Sequence, residues 1–387
     1  MKASPTTRGP RSPFRPSFGS TPPAAVGLDA VVGRVEDGLL AGPGHPARTS
    51  LLTGTRGIGK TVALNEIEAL AREHGWLVVS ETLTPGFVER LLAEHVPAAW
   101  RQVRGVPAPD PADPRPRRRL SGVSLPGRLG GVSIDVDPAE QPEGLRAHLA
   151  ALCDAMDERE SGLLVTVDEI HRLTGAERAG FEVFVAIVQH LVREERAIAF
   201  AGAGLPAAVQ DLLTDKVITF LRRAERFDLE VLGPDESADA IRIPVEEHGR
   251  GIDHDALEAA VALAQGYPYM VQLVGDAAWN AERTAPVITL DHVEGIRSRV
   301  VRSIGRQVHE PAVRALSPRD VDYLLAMLED DGPTAISDLN RRLDVTHSYT
   351  ARYRSRLIAQ GLVRPAGRGL VELALPYLRD YLETLDG

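Results

Sequence analysis

Cysteine occurs once, at Cys153, so the chain can form no internal disulfide and no zinc site built on thiolates. Cys153 lies in a helical stripe with Leu145, Leu149, Leu152 and Met156, and is expected to be a small buried apolar residue. Lysine is almost as scarce, confined to Lys2, Lys60 and Lys216, and arginine carries nearly all the positive charge. No run reaches the roughly 18 apolar residues of a membrane span. Residues 1–23, rich in Pro, Ser, Thr and Arg, lack the apolar stretch of a signal peptide and are expected to form a disordered tail. Together these features predict a cytoplasmic protein with no membrane partner. The formal charge of −10 argues against a uniformly basic nucleic-acid binder, though a local basic patch remains compatible with it. What the chain does have is length, 387 residues at 43% apolar content, enough for two or three domains.

Strands alternating with helices predict an α/β core with a parallel sheet over residues 24–232. Its strands are expected at Thr49–Thr53, Trp76–Thr82, Gly162–Asp168, Ala197–Ala201 and Arg226–Val231. The third is almost continuously apolar, as in a sheet covered on both faces. Residues 105–143, rich in Pro, Gly and Arg and including Arg115, Arg117, Arg118 and Arg119, read as a flexible insertion. From 233 to 310 the pattern is helical only, and a last compact unit spans 316–387.

Gly54-Thr55-Arg56-Gly57-Ile58-Gly59-Lys60-Thr61 fits the Gly-x4-Gly-Lys-Ser/Thr pattern between an apolar strand and a helix. Glycines let successive backbone N–H groups turn toward phosphate oxygens, and the following helix start adds positive potential. Gly54, Thr55, Arg56, Gly57, Ile58, Gly59, Lys60, Thr61 and the adjoining Val62 are therefore expected to hold ATP. Lys60 is expected to reach the β- and γ-phosphates, and Thr61 to ligate Mg2+. A lysine here, in a chain that otherwise uses arginine, suggests a need for a compact point charge. Asp168 and Glu169 end the third strand, at the edge where ligands of open α/β sheets bind. Asp168 is expected to hold the magnesium and Glu169 to polarise the attacking water. His171 is read as structural or supporting, since no metal partner stands at helical spacing from it.

These residues resemble the AAA+ and STAND divisions of P-loop ATPases, especially the origin-initiator-like ATPases of bacteria and archaea, from about Pro16 to the C-terminus. The resemblance implies a sheet of order 5-1-4-3-2, a helical lid and a C-terminal winged helix. It implies that Val32-Gly33-Arg34 lies near the adenine, which adds Gly33 and Arg34 to the nucleotide set. It also implies an arginine finger just before the fifth strand, acting from a neighbouring subunit of a homo-oligomer. Arg222, Arg223 and Arg226 are the candidates, and Arg226 is favoured. Gly266-Tyr267-Pro268 resembles the Gly-x-Pro that opens a STAND lid helix. Two departures stand out: the fourth-strand tip, Ala201-Gly202-Ala203-Gly204, lacks the family's polar sensor, and no sensor arginine can be placed in the lid.

The C-terminal unit carries helical stripes at Val321, Leu324, Leu325 and Leu328 and at Ile336, Leu339 and Leu343. A turn at Asp344-Val345-Thr346 follows, then a third helix with Thr346 as a plausible cap. Between Leu339 and Arg368 seven arginines (341, 342, 352, 354, 356, 364, 368) stand against one acid, Asp344, a local charge of +6. Double-stranded DNA is the expected partner through residues 340–368. The expected function is a slow, Mg2+-dependent ATPase acting as a DNA-associated switch. The alternatives are a nucleotide-gated DNA-binding regulator with little hydrolysis, or a signalling scaffold whose winged helix binds protein.

Overall fold

A computed structural model of the chain describes residues 11–17, 19–105, 141–170, 175–214 and 219–386. The expected 105–143 insertion, with its Arg115–Arg119 run, falls outside these residues except for Gly105 and 141–143; His171 also falls outside.

The core begins with α1 (Asp29–Ala41), β1 (Thr49–Thr53), α2 (Lys60–Glu73) and β2 (Leu77–Thr82). It continues through α3 (Phe87–Arg90), α4 (Val96–Arg104), α5 (Gln141–Asp157), β3 (Leu163–Asp168), α6 (Gly175–Arg193), β4 (Ile198–Gly204), α7 (Pro206–Thr214) and β5 (Glu225–Asp228). The five strands are all parallel and lie in the order β2-β3-β4-β1-β5, which is the expected 5-1-4-3-2 read from the other edge. β1 and β4 run side by side from Thr49 opposite Phe200 to Thr53 opposite Gly204, and every residue of both is buried. Helices cover both faces. On one, Phe87, Phe181 and Phe184 of α3 and α6 pack on Phe200 and Val165. On the other, Ala63, Leu64, Ile67 and Ala71 make the apolar stripe of α2 against Leu52, Leu164 and Ala201. The helical run that starts at Phe87 is divided by a π-turn at Leu91–His95 and extends to Arg104. The divide falls just before Pro97, which has no N–H to continue the α-helical ladder. The fifth strand is shorter than expected: beyond Asp228 the chain leaves the sheet toward the next helices.

Those are α8 (Pro234–Glu247), α9 (His254–Ala264), α10 (Pro268–Ala281) and α11 (Leu290–Ile304), with a two-stranded parallel pairing of β6 (Gly251–Ile252) and β7 (Val287–Ile288). A short α12 (Glu310–Arg314) leads into α13 (Pro318–Ala326), β8 (Thr334–Ala335), α14 (Ile336–Arg342), α15 (His347–Ala359), β9 (Val363–Pro365), β10 (Leu370–Leu373) and α16 (Leu378–Asp386). The last three strands form an antiparallel sheet of order β8-β10-β9. Ser317 and Asp320 form a reciprocal cap at the start of α13. Thr346 stands at the cap position of α15, but its hydroxyl meets the Ser348 hydroxyl at 3.1 Å and caps no backbone N–H. One continuous apolar core joins α8–α11 to the C-terminal unit, so the two share a single packing interior.

The N-terminal segment departs from the expected tail over its described part. Phe14 is buried in the α10 core, and a Cβ placed on Gly275 would come 2.4 Å from its ring. The Arg15 N–H donates to Gln272 Oε1 at 3.1 Å, and Asn65 Nδ2 donates to Thr21 Oγ1 at 3.0 Å. A Pro-rich segment without periodicity is held by a single aromatic anchor and by its neighbours' side chains.

Candidate functional site

Between β1 and α2 the chain turns through Gly54–Gly59, over the C-terminal edge of the sheet. Gly57 adopts φ +75°, and a Cβ there would stand 2.5 Å from the Tyr267 hydroxyl, so only glycine fits. Lys60 opens α2, and its Nζ donates to Gly54 O at 2.9 Å and Thr55 O at 2.6 Å. Burial pushes its pKa down to about 8, against the attraction of Asp168 and Glu169 and with the aid of Arg56. The Thr61 hydroxyl donates to Asp168 Oδ2 at 2.6 Å, while Asp168 Oδ1 accepts the Glu169 N–H at 2.7 Å. Glu169 itself is held at φ +61°, a left-handed conformation that is uncommon for a glutamate.

Lys60, Thr61, Asp168 and Glu169 line one cavity of about 580 Å3, together with Arg56–Gly59 and Val62. The oxygen pair Thr61–Asp168 is the hard-donor type that suits Mg2+, an ion that takes few protein ligands and completes its shell with phosphate and water. Nothing stands within 4 Å of the open side of Gly59, which leaves the helix start clear for an anion.

Other expected residues lie elsewhere. Gly33 and Arg34 sit within α1 and do not line the cavity; Arg34 pairs with Glu225 at 3.4 Å on the edge strand. Residues 24–28, just before α1, line it instead. None of the three finger candidates lines it either. Arg222 donates to Leu213 O at 2.9 Å, Arg223 faces a different cavity, and Arg226 is exposed within β5. The bare tip of β4 has a packing cause: a Cβ on Gly204 would come 2.5 Å from Ile170.

Three groups of lining residues escaped the sequence reading. The N-terminal segment contributes Arg15, Ser17 and Ser20; the lid contributes Tyr269 and Gln272; the C-terminal unit contributes Gln360 and Leu362. A Cβ on Gly361 would lie 3.8 Å from Thr55 Cα, so the end of α15 rests on the Gly54–Gly59 loop. Buried Tyr267, the cap of α10, presses its hydroxyl on Gly57 without a hydrogen-bond partner among the described residues. Only Phe14 and the Gly-Tyr-Pro motif were visible as local signals for these contacts.

The arginines of 340–368 are less free than their sum suggests. Arg341 pairs with Asp338 (3.0 Å), Arg342 with Asp330 (2.6 Å), Arg356 with Asp320 (2.5 Å) and Arg364 with Glu372 (2.7 Å). All four carboxylates lie outside the 339–368 window. Arg352, Arg354 and Arg368 have no carboxylate partner among the described residues, and Tyr349 stands exposed near Arg352 at the start of α15.

A family described as a domain of unknown function (DUF8462) matches residues 306–382, the C-terminal unit and its lead-in. No curated protein matches the chain. A Walker-type ATPase of Pyrococcus abyssi superposes with a TM-score of 0.65 at 14% identity, over 97% of this chain and 98% of that one. The ORC2 protein of Aeropyrum pernix, solved in ADPNP–ADP complexes, gives 0.59 at 15% identity, over 96% of each chain. The fold is that of the origin-initiator-like P-loop ATPases. Within this fold the Gly54–Gly59 loop and the acidic pair occupy one cavity, while the N-terminal segment, the lid and the C-terminal unit close around it.

Proposed function

We propose that this chain is a cytoplasmic nucleotide switch that binds Mg-ATP, hydrolyses it slowly and reports its state through its C-terminal unit. The observation that carries the reading is the Thr61–Asp168 hydrogen bond of 2.6 Å, in the same cavity as Lys60 and Glu169. The Aeropyrum structure's ADPNP and ADP support a nucleotide as occupant. Lys60 leaves the loop carbonyls for the β- and γ-phosphates, and the loop amides orient the triphosphate. Thr61 and Asp168 would hold magnesium, which would supply charge to offset the phosphates. Glu169 accepts a hydrogen bond from the attacking water and draws its proton away. The bare β4 tip removes one phosphate-sensing group, which favours slow turnover. Because Arg226 lies outside the cavity, it acts as a finger only from a second copy, across a homo-oligomer interface.

We read the C-terminal unit as a winged helix that contacts double-stranded DNA through 340–368, chiefly by Arg352, Arg354, Arg368 and the exposed start of α15. The four internally paired arginines favour a second reading, in which this unit binds protein as a signalling scaffold.

Steady-state phosphate release and calorimetric ATP binding test the proposal. Lys60→Ala is expected to lower ATP affinity at least about tenfold, while Glu169→Gln retains affinity and loses turnover. Loss of both properties in Glu169→Gln overturns the assigned roles. Titration of the full chain with mixed duplex DNA at low and raised salt separates the two C-terminal readings, since phosphate contacts weaken steeply with salt.

A further inference from the structure

A second cavity, of about 540 Å3, opens at the opposite edge of the sheet. It lies where the 43–49 connection enters β1, where α6 ends, and where the chain turns into β5. Arg48, Arg193, Arg196 and Arg223 line it, with His45 beside them, and none of its lining residues is acidic. Arg196 is balanced outside the cavity, its Nε donating to Glu194 at 2.8 Å and its Nη1 to Asp154. The exposed Arg193 and Arg223 have no ion pair among the described residues.

Arg48 is 7% exposed. Its Nε and Nη2 donate to Gly38 O and Leu39 O, each at 2.9 Å, and its guanidinium lies 5.0 Å from the centre of the Trp76 ring. Its Nη1 has no partner, and no carboxylate offsets its charge among the described residues. A buried charge without a counterion is expensive, and its field reaches further in a low dielectric than in water. Three arginines, Arg48, Arg193 and Arg223, thus line one cavity without a carboxylate partner among the described residues, in a chain of net charge −10.

We propose that this cavity is a binding site for a small phosphate-bearing anion, taken up between Arg193 and Arg223 above the buried Arg48. Guanidinium forks match phosphate oxygens in paired hydrogen bonds. A dianion balances the two exposed arginines, which a single carboxylate does not. The space exceeds that of a bare phosphate and has apolar wall at Val192 and Phe220, which suits an organic phosphate ester.

The test uses full-length Lys60→Ala protein in EDTA, so that the phosphate loop is disabled. Inorganic phosphate, pyrophosphate and phenyl phosphate are titrated calorimetrically. The expected result is binding at one site per chain, weakened at least about tenfold by the further double change Arg193→Ala/Arg223→Ala. Both positions are exposed, so the thermal midpoint is expected to stay put; Arg193→Glu alone provides an independent charge reversal with the same expected loss. Phenyl phosphate binding tighter than inorganic phosphate identifies an organic ester as the ligand class, and the reverse order a free inorganic ion. Absence of binding in the Lys60→Ala protein overturns the site. So does equal binding by the arginine variants.

Discussion

Between the empty and the filled loop, Lys60 has to change partners. Its ammonium now satisfies Gly54 O and Thr55 O, and burial holds its pKa at about 8. On the proposed reading it is the protonated form that takes the triphosphate. Below pH 8 the empty site already carries that proton, so affinity is expected to be flat. Above pH 8 binding must take a proton up, and affinity is expected to fall by up to about tenfold per pH unit. Calorimetry at pH 9 in two buffers of different ionisation heat reads the uptake directly; identical observed heats in the two buffers contradict it. Tyr267 offers a second measurement at this scale. Its buried hydroxyl lacks a partner among the described residues, a condition that costs about 1–3 kcal/mol. Tyr267→Phe is therefore expected to leave the empty protein as stable or about 1 kcal/mol more stable in urea. A clear loss of stability shows that the hydroxyl is satisfied after all.

Elements meet around the cavity in a way that no single element dictates. The N-terminal segment crosses from α10 to α2, anchored by Phe14 at one end and by Thr21 on Asn65 at the other. Phe14→Ala removes a ring that fills the space over Gly275, and large-to-small changes of this kind cost about 3–5 kcal/mol where the site cannot collapse. The expected outcome is a lowered thermal midpoint together with faster proteolysis near residue 20. An unchanged midpoint indicates that the segment contributes little to the packed core. The tip of β4 and the turn at Gly57 show the same logic at closer range: Ile170 and Tyr267 take up the volume that side chains there need.

Across the whole molecule, the lid and the C-terminal unit behave as one packed body joined near His309. Its Nε2 lies 2.9 Å from Pro376 O and donates there as the neutral ring, and burial pushes its pKa down to about 4. The unfolded chain binds this proton near pH 6.5 and the native chain only near 4, so stability is full above 6.5 and is lost as pH falls through that window. The contribution lost by pH 5 is about 2 kcal/mol, readable as a shift in urea midpoint between pH 7 and 5 that His309→Asn abolishes. Much of the architecture was legible in the chain itself. Apolar runs bounded by Gly-Thr-Arg-Gly and Asp168-Glu169 fix strands, loop and acidic edge through local periodicity and turn chemistry. The sheet order followed from the resemblance that those motifs carry. Arg34 on Glu225, the four paired arginines of the C-terminal unit, Phe14 on α10 and Gly361 on Thr55 belong to tertiary structure alone. Apart from Arg341 on Asp338, an i,i+3 pair within α14, each joins residues separated by longer stretches of chain or by a change of element, and a charge or an apolar side chain declares its type in the sequence but not its partner. The partner is chosen when the core closes and leaves each group with the neighbours that geometry permits.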